Sequence, residues 1–436
     1  MNEYLKKHCS EKVVSMEEAV KEVKSGDRVY IGTCTSTAYG LSRALGERID
    51  ELCDITVLCS NINKPLDILS GKNPTFRIGS YFMGSLERKG IAKGITEYTS
   101  FHLSQLDRWV KEVARPDITF LEVSLPDEDG YMSLGASGVC LGTHLIDASK
   151  KIILEVNSCA PYVMGDYNKI HVSQADLIVE ADEELYTIGE LPITPELETI
   201  SQFLIDEIHD GDCIQLGIGG LANAVGYGLK DKNDLGCHTE MIGDSIKWLM
   251  QNGNITNSRK NFEKGSTVTA FALGSKELYE FLDHNDEVHF LPMTITNNPA
   301  VIAQNDNVVS INTALSIDLF GQVVADNIDG RQYSGVGGQI DFVRGSQMSK
   351  GGRSYIAVTS TYENSRTGRG SRIVSAFKPG SAVTTPRSEV QYIVTEYGCI
   401  DLKCLTMRER AEAMISLAHP DFRAQLRKEA QEMGIL

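Results

Sequence analysis

Apolar and polar positions along this chain repeat one pattern twice. From Met16, the segment MEEAVKEVKSGDRVYIGTCTSTAYGLSRALGERIDELCDITVL sets Ala19, Val20 and Val23 at helical spacing. From Glu198, the segment ETISQFLIDEIHDGDCIQLGIGGLANAVGYGLKDKNDLGCHTEMI does the same with Ile200, Phe203, Leu204 and Ile208. Each helix pattern is followed by Gly-Asp, a short apolar strand and a turn. Gly26-Asp27 leads into RVYIG, and Gly211-Asp212 leads into CIQLG. A second helix pattern follows, AYGLSRALGERIDEL or LANAVGYGLKDK, and then CDITVL or CHTEMI. This order predicts a duplicated α/β unit.

A fainter echo continues downstream. PDITFLEVSLPDEDGYMSLG (116–135) and NVVSINTALSIDLFGQVVAD (307–326) both read as strand, turn with acid and glycine, strand. KKIILEVN and RSYIAVTS each read as a buried strand. IGELPITPELETI, with two prolines and several acids, predicts a linker and helix start near 188–198. The expected fold is α/β, with two topologically related open domains, 1–190 and 191–436, facing each other across a cleft. Ligands of such sheets bind at the carboxyl ends of the strands.

Composition narrows the function. A chain of 436 residues exceeds one ordinary core. Its net charge of −17 argues against a general nucleic-acid binder, which needs a basic face. An anionic small ligand stays open, because backbone N–H groups bind phosphates without side-chain charge. The N-terminus has no signal-like apolar core and no run of 18 apolar residues occurs, so a cytoplasmic protein without membrane partners is expected. The ten cysteines never form CxxC and fit buried thiols in a reducing compartment. The nine histidines form no HExxH, so no metal site is predicted.

Three stretches can carry chemistry. In QLGIGGLAN, a glycine turn opens a helix after a strand, a geometry that suits an anion. An acid, Glu240, follows about twenty residues later, the spacing of a dinucleotide site with Gly217, Gly219 and Ala222 as a degenerate fingerprint. Against that reading, Gly236, Cys237, His238 and Thr239 precede Glu240 instead of an apolar strand. YSGVGGQIDFVRG (333–345) is either a floppy hairpin or a backbone approach to a ligand, with Lys350 and Arg353 beyond it as loop charges or phosphate partners. IGTCTSTAYG (31–40), the counterpart of the Gly217 turn, is either an ordinary cap or a place to hold a carboxylate or oxyanion.

SGDRVYIG, LEVNSCAPYVMGD, DGDCIQLGIG, LGCHTEMIGD, INTALSIDLFGQV, YSGVGGQIDFVRG, AVTTPRSEVQYIVTEYG and RAEAMISLAHPDFR together resemble the acetyl-CoA hydrolase/transferase family. That family includes 4-hydroxybutyrate and butyryl-CoA:acetate CoA-transferases. The matches run from near residue 25 to near 425, almost the whole chain. The resemblance implies ping-pong transfer of CoA between carboxylic acids, with Glu240 of His238-Thr239-Glu240-Met241 as nucleophile and a glutamyl-CoA thioester as intermediate. It implies CoA contacts at Gly217, Ile218, Gly219, Gly220 and Leu221, and at Gly335, Gly337 and Gly338. CoA and acyl-CoA are then substrates, with no prosthetic group, and a homodimer or homotetramer is expected. His238 is either a hydrogen-bond partner or a packed ring. The acyl side should come from the N-terminal domain, where Tyr81, Phe82 and Met83 either line a pocket or fill the core.

The expected donor is acetyl-CoA or butyryl-CoA, and the expected acceptor is butyrate, 4-hydroxybutyrate or acetate. Itaconate, succinate, propionate and crotonate stay open. Acyl-CoA hydrolysis uses the same glutamate, so motifs do not separate it from transfer. An NAD-dependent dehydrogenase and a non-catalytic ligand sensor are the readings from other classes. The sensor reading lacks a visible DNA-binding segment.

Overall fold

The computed structural model describes residues 2–365 and 368–436. These form two compact units. The first holds the chain up to Gly189 together with Met241–Gly243 and Val268–Thr296. The second holds Glu190–Glu240, Asp244–Thr267 and Asn297–Leu436.

The first unit is built on an eight-stranded sheet. Its main strands lie in the order Leu177–Ala181, Lys151–Asn157, Ile118–Val123, Arg28–Thr33, Thr56–Ser60, Arg77–Ser80, Thr96–Tyr98. All neighbours in this path are parallel. Parallel sheets are covered on both faces, which demands continuous apolar strands. ITFLEV is accordingly buried at all six positions. The helix Tyr39–Glu47 sends Leu41 and Leu45, one turn apart, into the core with Val29, Val57, Ile78, Phe120 and Ile153.

The second unit has a six-stranded sheet in the order Gly236–Cys237, Cys213–Gln215, Val308–Thr313, Arg353–Ala357, Tyr392–Thr395, Gly398–Asp401. Only the last pair is antiparallel. Its core includes Ile340, Val343, Ile356 and Ile393. The predicted linker ends where Thr194 caps the Pro195–Glu207 helix, its hydroxyl accepting the Leu197 N–H at 3.4 Å. Proline at the first helical position needs no N–H there.

The duplication is real at the level of backbone. Five strands share one order in both sheets: 177–181, 151–157, 118–123, 28–33 and 56–60 match 392–395, 353–357, 308–313, 213–215 and 236–237. The Gly-Asp turns match bond for bond. The Asp27 carboxylate accepts the Lys24 N–H at 2.8 Å, and that of Asp212 accepts the His209 N–H at 2.7 Å.

Two elements differ from the pattern. The helix expected from Met16 is one turn, Met16–Ala19, tightening to a 3₁₀ turn over Val20–Glu22. Val20 and Val23 are β-branched, and the turn at Gly26 follows at once. YSGVGGQIDFVRG is no hairpin: its second half opens the Gln339–Met348 helix, with Gly338 as N-cap.

Candidate active site

Glu240 lies just past the Gly236–Cys237 strand, at the carboxyl end of the sheet in the second unit. The residues before it are pinned one by one. The Asn257 side chain accepts the Cys237 N–H at 2.9 Å. His238 donates its N–H to the Ile214 carbonyl at 3.1 Å. The Thr239 hydroxyl donates to the Leu216 carbonyl at 2.9 Å. Leu216 directly precedes the Gly217 turn, so this bond ties that turn to the residue beside Glu240.

His238 is fully buried. Its ring lies 5.9 Å from that of Phe262 and 6.2 Å from that of Phe342, and Asn305 Nδ2 stands 3.4 Å from its Nδ1. The ring is thus both packed against aromatic neighbours and within hydrogen-bond distance of Asn305.

The Glu240 carboxylate meets two elements that come from distant sequence. Asn297 Nδ2 donates to Oε2 at 2.5 Å. A Cβ placed on Gly338 would stand 1.9 Å from the same oxygen and 2.4 Å from Asn297 Nδ2. Gly338 has φ of −92°, which any residue adopts, so space and not backbone conformation requires glycine there. Gly338 caps the Gln339–Met348 helix, whose positive end therefore faces the carboxylate. Gln339 fixes the loop, donating to the Thr313 carbonyl at 2.7 Å and accepting from the Thr385 hydroxyl at 2.8 Å.

Glu240 is only partly open to solvent, and burial pushes its carboxyl up to about 7. The Asn297 N–H opposes this by favouring the ionised form, and the nearby Asp341 charge adds to it. Asp341 is itself buried, in the first turn of the same helix. Asn297 is fully buried, and its Oδ1 finds no partner among the described residues.

The Gly217–Leu221 turn closes onto the Gly220–Gly228 helix. Gly219, the N-cap, has φ of +113° and no side chain to cap the helix. The N–H groups of the first helical turn have no intrahelical acceptor. A Cβ on Gly217 would meet nothing within 4 Å, so the approach is open. Ile218 is 49% exposed. Leu221 is buried. Gly335 is buried and Gly337, with φ of +67°, half-buried in the loop that ends at Gly338.

Arg353 is an internal strut, paired with Asp212 at 2.6 Å. Tyr81 and Met83 are buried, Tyr81 edge-on to Trp109 at 5.0 Å. The IGTCTSTAYG turn does hold a carboxylate, but it is the protein's own. Glu155 accepts the Gly40 N–H at 3.1 Å and the Leu41 N–H at 2.7 Å. A cavity of about 600 Å³ lies beyond the ends of three strands of the first unit, and Glu240 is not among its walls. Its walls carry Asp127, Glu184, Glu280 and Asp283 against one Lys276, a charge balance that repels anions. Among the described residues no cluster of three or more His, Cys, Asp or Glu could hold a metal ion. No helix there is long and apolar enough to cross a membrane.

Asn297 was not legible beforehand. In ITNNP, the sequence signal belongs to its neighbour: Asn298 caps the Pro299–Ile302 helix, accepting the Ala300 N–H at 3.0 Å.

Comparison with known proteins adds a lineage to this geometry. Residues 1–190 match the acetyl-CoA hydrolase/transferase N-terminal domain, and residues 274–430 match its C-terminal domain. The chain is 38% identical over 440 residues to the butyryl-CoA:acetate CoA-transferase of Anaerostipes caccae, covering 99% of this chain and 98% of that one. It is 38% identical over 421 residues to the 4-hydroxybutyrate coenzyme A transferase of Clostridium kluyveri, covering 96% and 97%. The crystal structure of RipA from Yersinia pestis superposes with a TM-score of 0.90 at 36% identity over 98% of each chain.

Proposed function

This chain belongs to the acetyl-CoA hydrolase/transferase family, and from that premise we propose that it moves coenzyme A from an acyl-CoA to a short-chain carboxylate, with Glu240 as the nucleophile. The observation that carries the reading is the grip on Glu240. One carboxylate oxygen is held between an amide donor, Asn297, and a loop emptied of side chain at Gly338. A purely structural glutamate needs no such clearance.

The chemistry follows from the carboxylate. Ionised Glu240 attacks the thioester carbonyl of the acyl-CoA. The C–S bond breaks, giving an acyl-glutamyl anhydride and the CoA thiolate. The thiolate attacks the glutamyl carbonyl and releases the first acid, leaving a glutamyl-CoA thioester. An incoming carboxylate attacks that thioester, forming a new anhydride and freeing the thiolate again. The thiolate then takes the new acyl group and restores Glu240. Each step exchanges one activated carbonyl for another, so no intermediate is a deep energetic sink. A carboxyl at about 7 is substantially ionised at neutral pH and more nucleophilic than an ordinary glutamate. Asn297 and the helix end at Gly338 favour its charged form.

The open Gly217–Leu221 turn suits the anionic phosphates of CoA, and the Gly335–Gly338 loop suits its approach to Glu240. Butyrate, 4-hydroxybutyrate and acetate are the proposed acids, after the relatives. Hydrolysis, in which water takes the place of the second acid at the glutamyl thioester, is the second reading, and the family's own name favours keeping it.

The test is direct. Incubation with acetyl-CoA followed by borohydride should convert the Glu240 thioester to an alcohol, visible as a mass shift in its peptide. An unmodified Glu240 under turnover, with a fully active Glu240→Ala variant, would sink the reading. A panel of short acids then separates transfer, which needs an acceptor, from hydrolysis, which does not.

A further inference from the structure

The strand that delivers Glu240 lies at the edge of its sheet. Gly236–Cys237 pairs with Cys213–Gln215 on one side. On the other side no strand among the described residues runs alongside Cys237. Among the described residues, backbone contact on that side is made two residues earlier, where Thr256 and Asn257 donate their N–H groups to the Leu235 carbonyl, each at 3.0 Å. Beyond that point side chains take over. Asn257 Oδ1 accepts the Cys237 N–H at 2.9 Å, and Lys260 Nζ donates to the Cys237 carbonyl at 3.0 Å. Lys260 also donates to the Ser266 carbonyl at 2.5 Å. Asn257 Nδ2 in turn donates to the Thr267 hydroxyl at 3.1 Å. Both backbone groups of Cys237 are thus held from the open edge by two side chains.

Lys260 is an unusual residue for that task. It is 4% exposed, and its two hydrogen-bond acceptors are carbonyl oxygens, not a carboxylate. Sealing an ammonium in the interior is costly; burial lowers the Lys260 pKa, and the Glu263 charge opposes this through space, with no carboxylate among the described residues hydrogen-bonded to the ammonium. Gly236 makes room for it: a Cβ there would stand 2.7 Å from Lys260 Cγ. An apolar side chain would fill the same space without the desolvation cost. What it would not do is hold the Cys237 carbonyl three residues ahead of Glu240.

We infer that Lys260, with Asn257, is a positioning residue for Glu240: it stands in for a missing neighbour strand and fixes the register of the segment that aims the carboxylate. The inference rests on the reading of Glu240 as the nucleophile. Misplacement by about 1 Å costs a reaction on the order of a hundredfold, so the effect should appear in chemistry and not in binding.

The experiment compares Lys260→Met and Lys260→Gln with wild type in single-turnover labelling of Glu240 by acetyl-CoA, alongside steady-state kcat and KM. Lys260→Met should lower the labelling rate and kcat about tenfold to a hundredfold, with KM for acetyl-CoA held within about twofold. Lys260→Gln keeps two N–H donors on a shorter arm and should recover part of the rate. Leu426→Ala, a core truncation in the C-terminal helix, controls for stability alone. It should lower the thermal midpoint and leave kcat near wild type. A folded Lys260→Met that labels Glu240 at the wild-type rate overturns the inference. So does a Leu426→Ala variant that loses kcat in proportion to its midpoint as Lys260→Met does. Where Lys260→Met does not fold, Asn257→Gly reads the other half of the clamp without strain at φ of 55°, and wild-type labelling there overturns it equally. Absence of label on Glu240 in the wild type would instead strike the nucleophile reading itself, and this inference with it.

Discussion

The two units use one set of strands for opposite ends. Aligning their Gly-Asp turns pairs Arg28 with Cys213, whose sheet partners are Thr56 and Gly236. Four residues further along, the first unit has Ser60 and the second has Glu240. Ser60 is buried, and its hydroxyl donates to the Phe82 carbonyl at 3.2 Å. The same register pairs Glu155 with Ala357. In the first unit, the Glu155 carboxylate fills the helix N-terminus at Gly40 and Leu41. In the second, alanine offers no carboxylate, and the helix at Gly220 keeps an uncapped end. In the first unit the helix end is filled by a carboxylate and the strand end carries a serine; in the second the helix end has no side-chain cap and the strand end carries Glu240. A duplicated fold therefore supplies two strand ends, and single side chains decide which one carries an acid.

The largest break in that asymmetry is Glu240→Ala. It should lower transfer by about a thousandfold or more, since the proposed nucleophile itself is gone. The matched change, Ser60→Ala, should leave Glu240 labelling by acetyl-CoA intact. Mass spectrometry of the labelled peptide compares the two.

Gly338→Ala comes next. The added methyl would take the space of Glu240 Oε2 and push the carboxylate off its position. A loss in kcat of about a hundredfold is expected. The far-ultraviolet circular dichroism spectrum should stay unchanged, because the backbone angle suits alanine.

A smaller effect concerns pH. With the Glu240 carboxyl at about 7, kcat/KM should fall about tenfold for each unit below neutrality as the proposed nucleophile is protonated. Asp341 raises that carboxyl, so Asp341→Asn should shift the acid limb to lower pH. Asn297→Ala removes an opposing donor and should shift it to higher pH. A profile that ignores both substitutions would contradict the electrostatic account.

The smallest effect is on stability, in the first unit. Burial pushes the Glu155 carboxyl up to about 7, against the two N–H donors that lower it. Glu122, directly opposite on the neighbouring strand, is also raised, by burial and by Glu155. A raised folded-state value means the native state holds protons more tightly than the unfolded chain. The stabilisation is complete below the ordinary carboxyl range and is lost as pH rises through about 7. Relative to Glu155→Gln, wild type should therefore lose on the order of 3 kcal/mol or less between about pH 5 and pH 8. Denaturant midpoints at a series of pH values read this directly.

Much of this was legible because it is local or periodic. The Gly-Asp turns, the buried strands and the Thr194-Pro195 helix start each follow from a few adjacent residues. Glu240 stood out through its motif, with the resemblance naming its role. Asn297 did not, because it lies 57 residues from its partner and its neighbour Asn298 carries the recognisable cap. The glycines of 335–338 were legible as a loop that lets something approach. That the something includes the protein's own glutamate was not.

The sequence alone determined the α/β units, their duplication and the residue types available for chemistry, because helix and strand periods and turn residues act over short spans. Only the tertiary structure decided which turn is plugged by Glu155, which glycine clears space for Glu240, and which buried lysine braces its strand. Those are contacts between residues far apart in the chain. They depend on where packing places each side chain, and no short-range pattern encodes that.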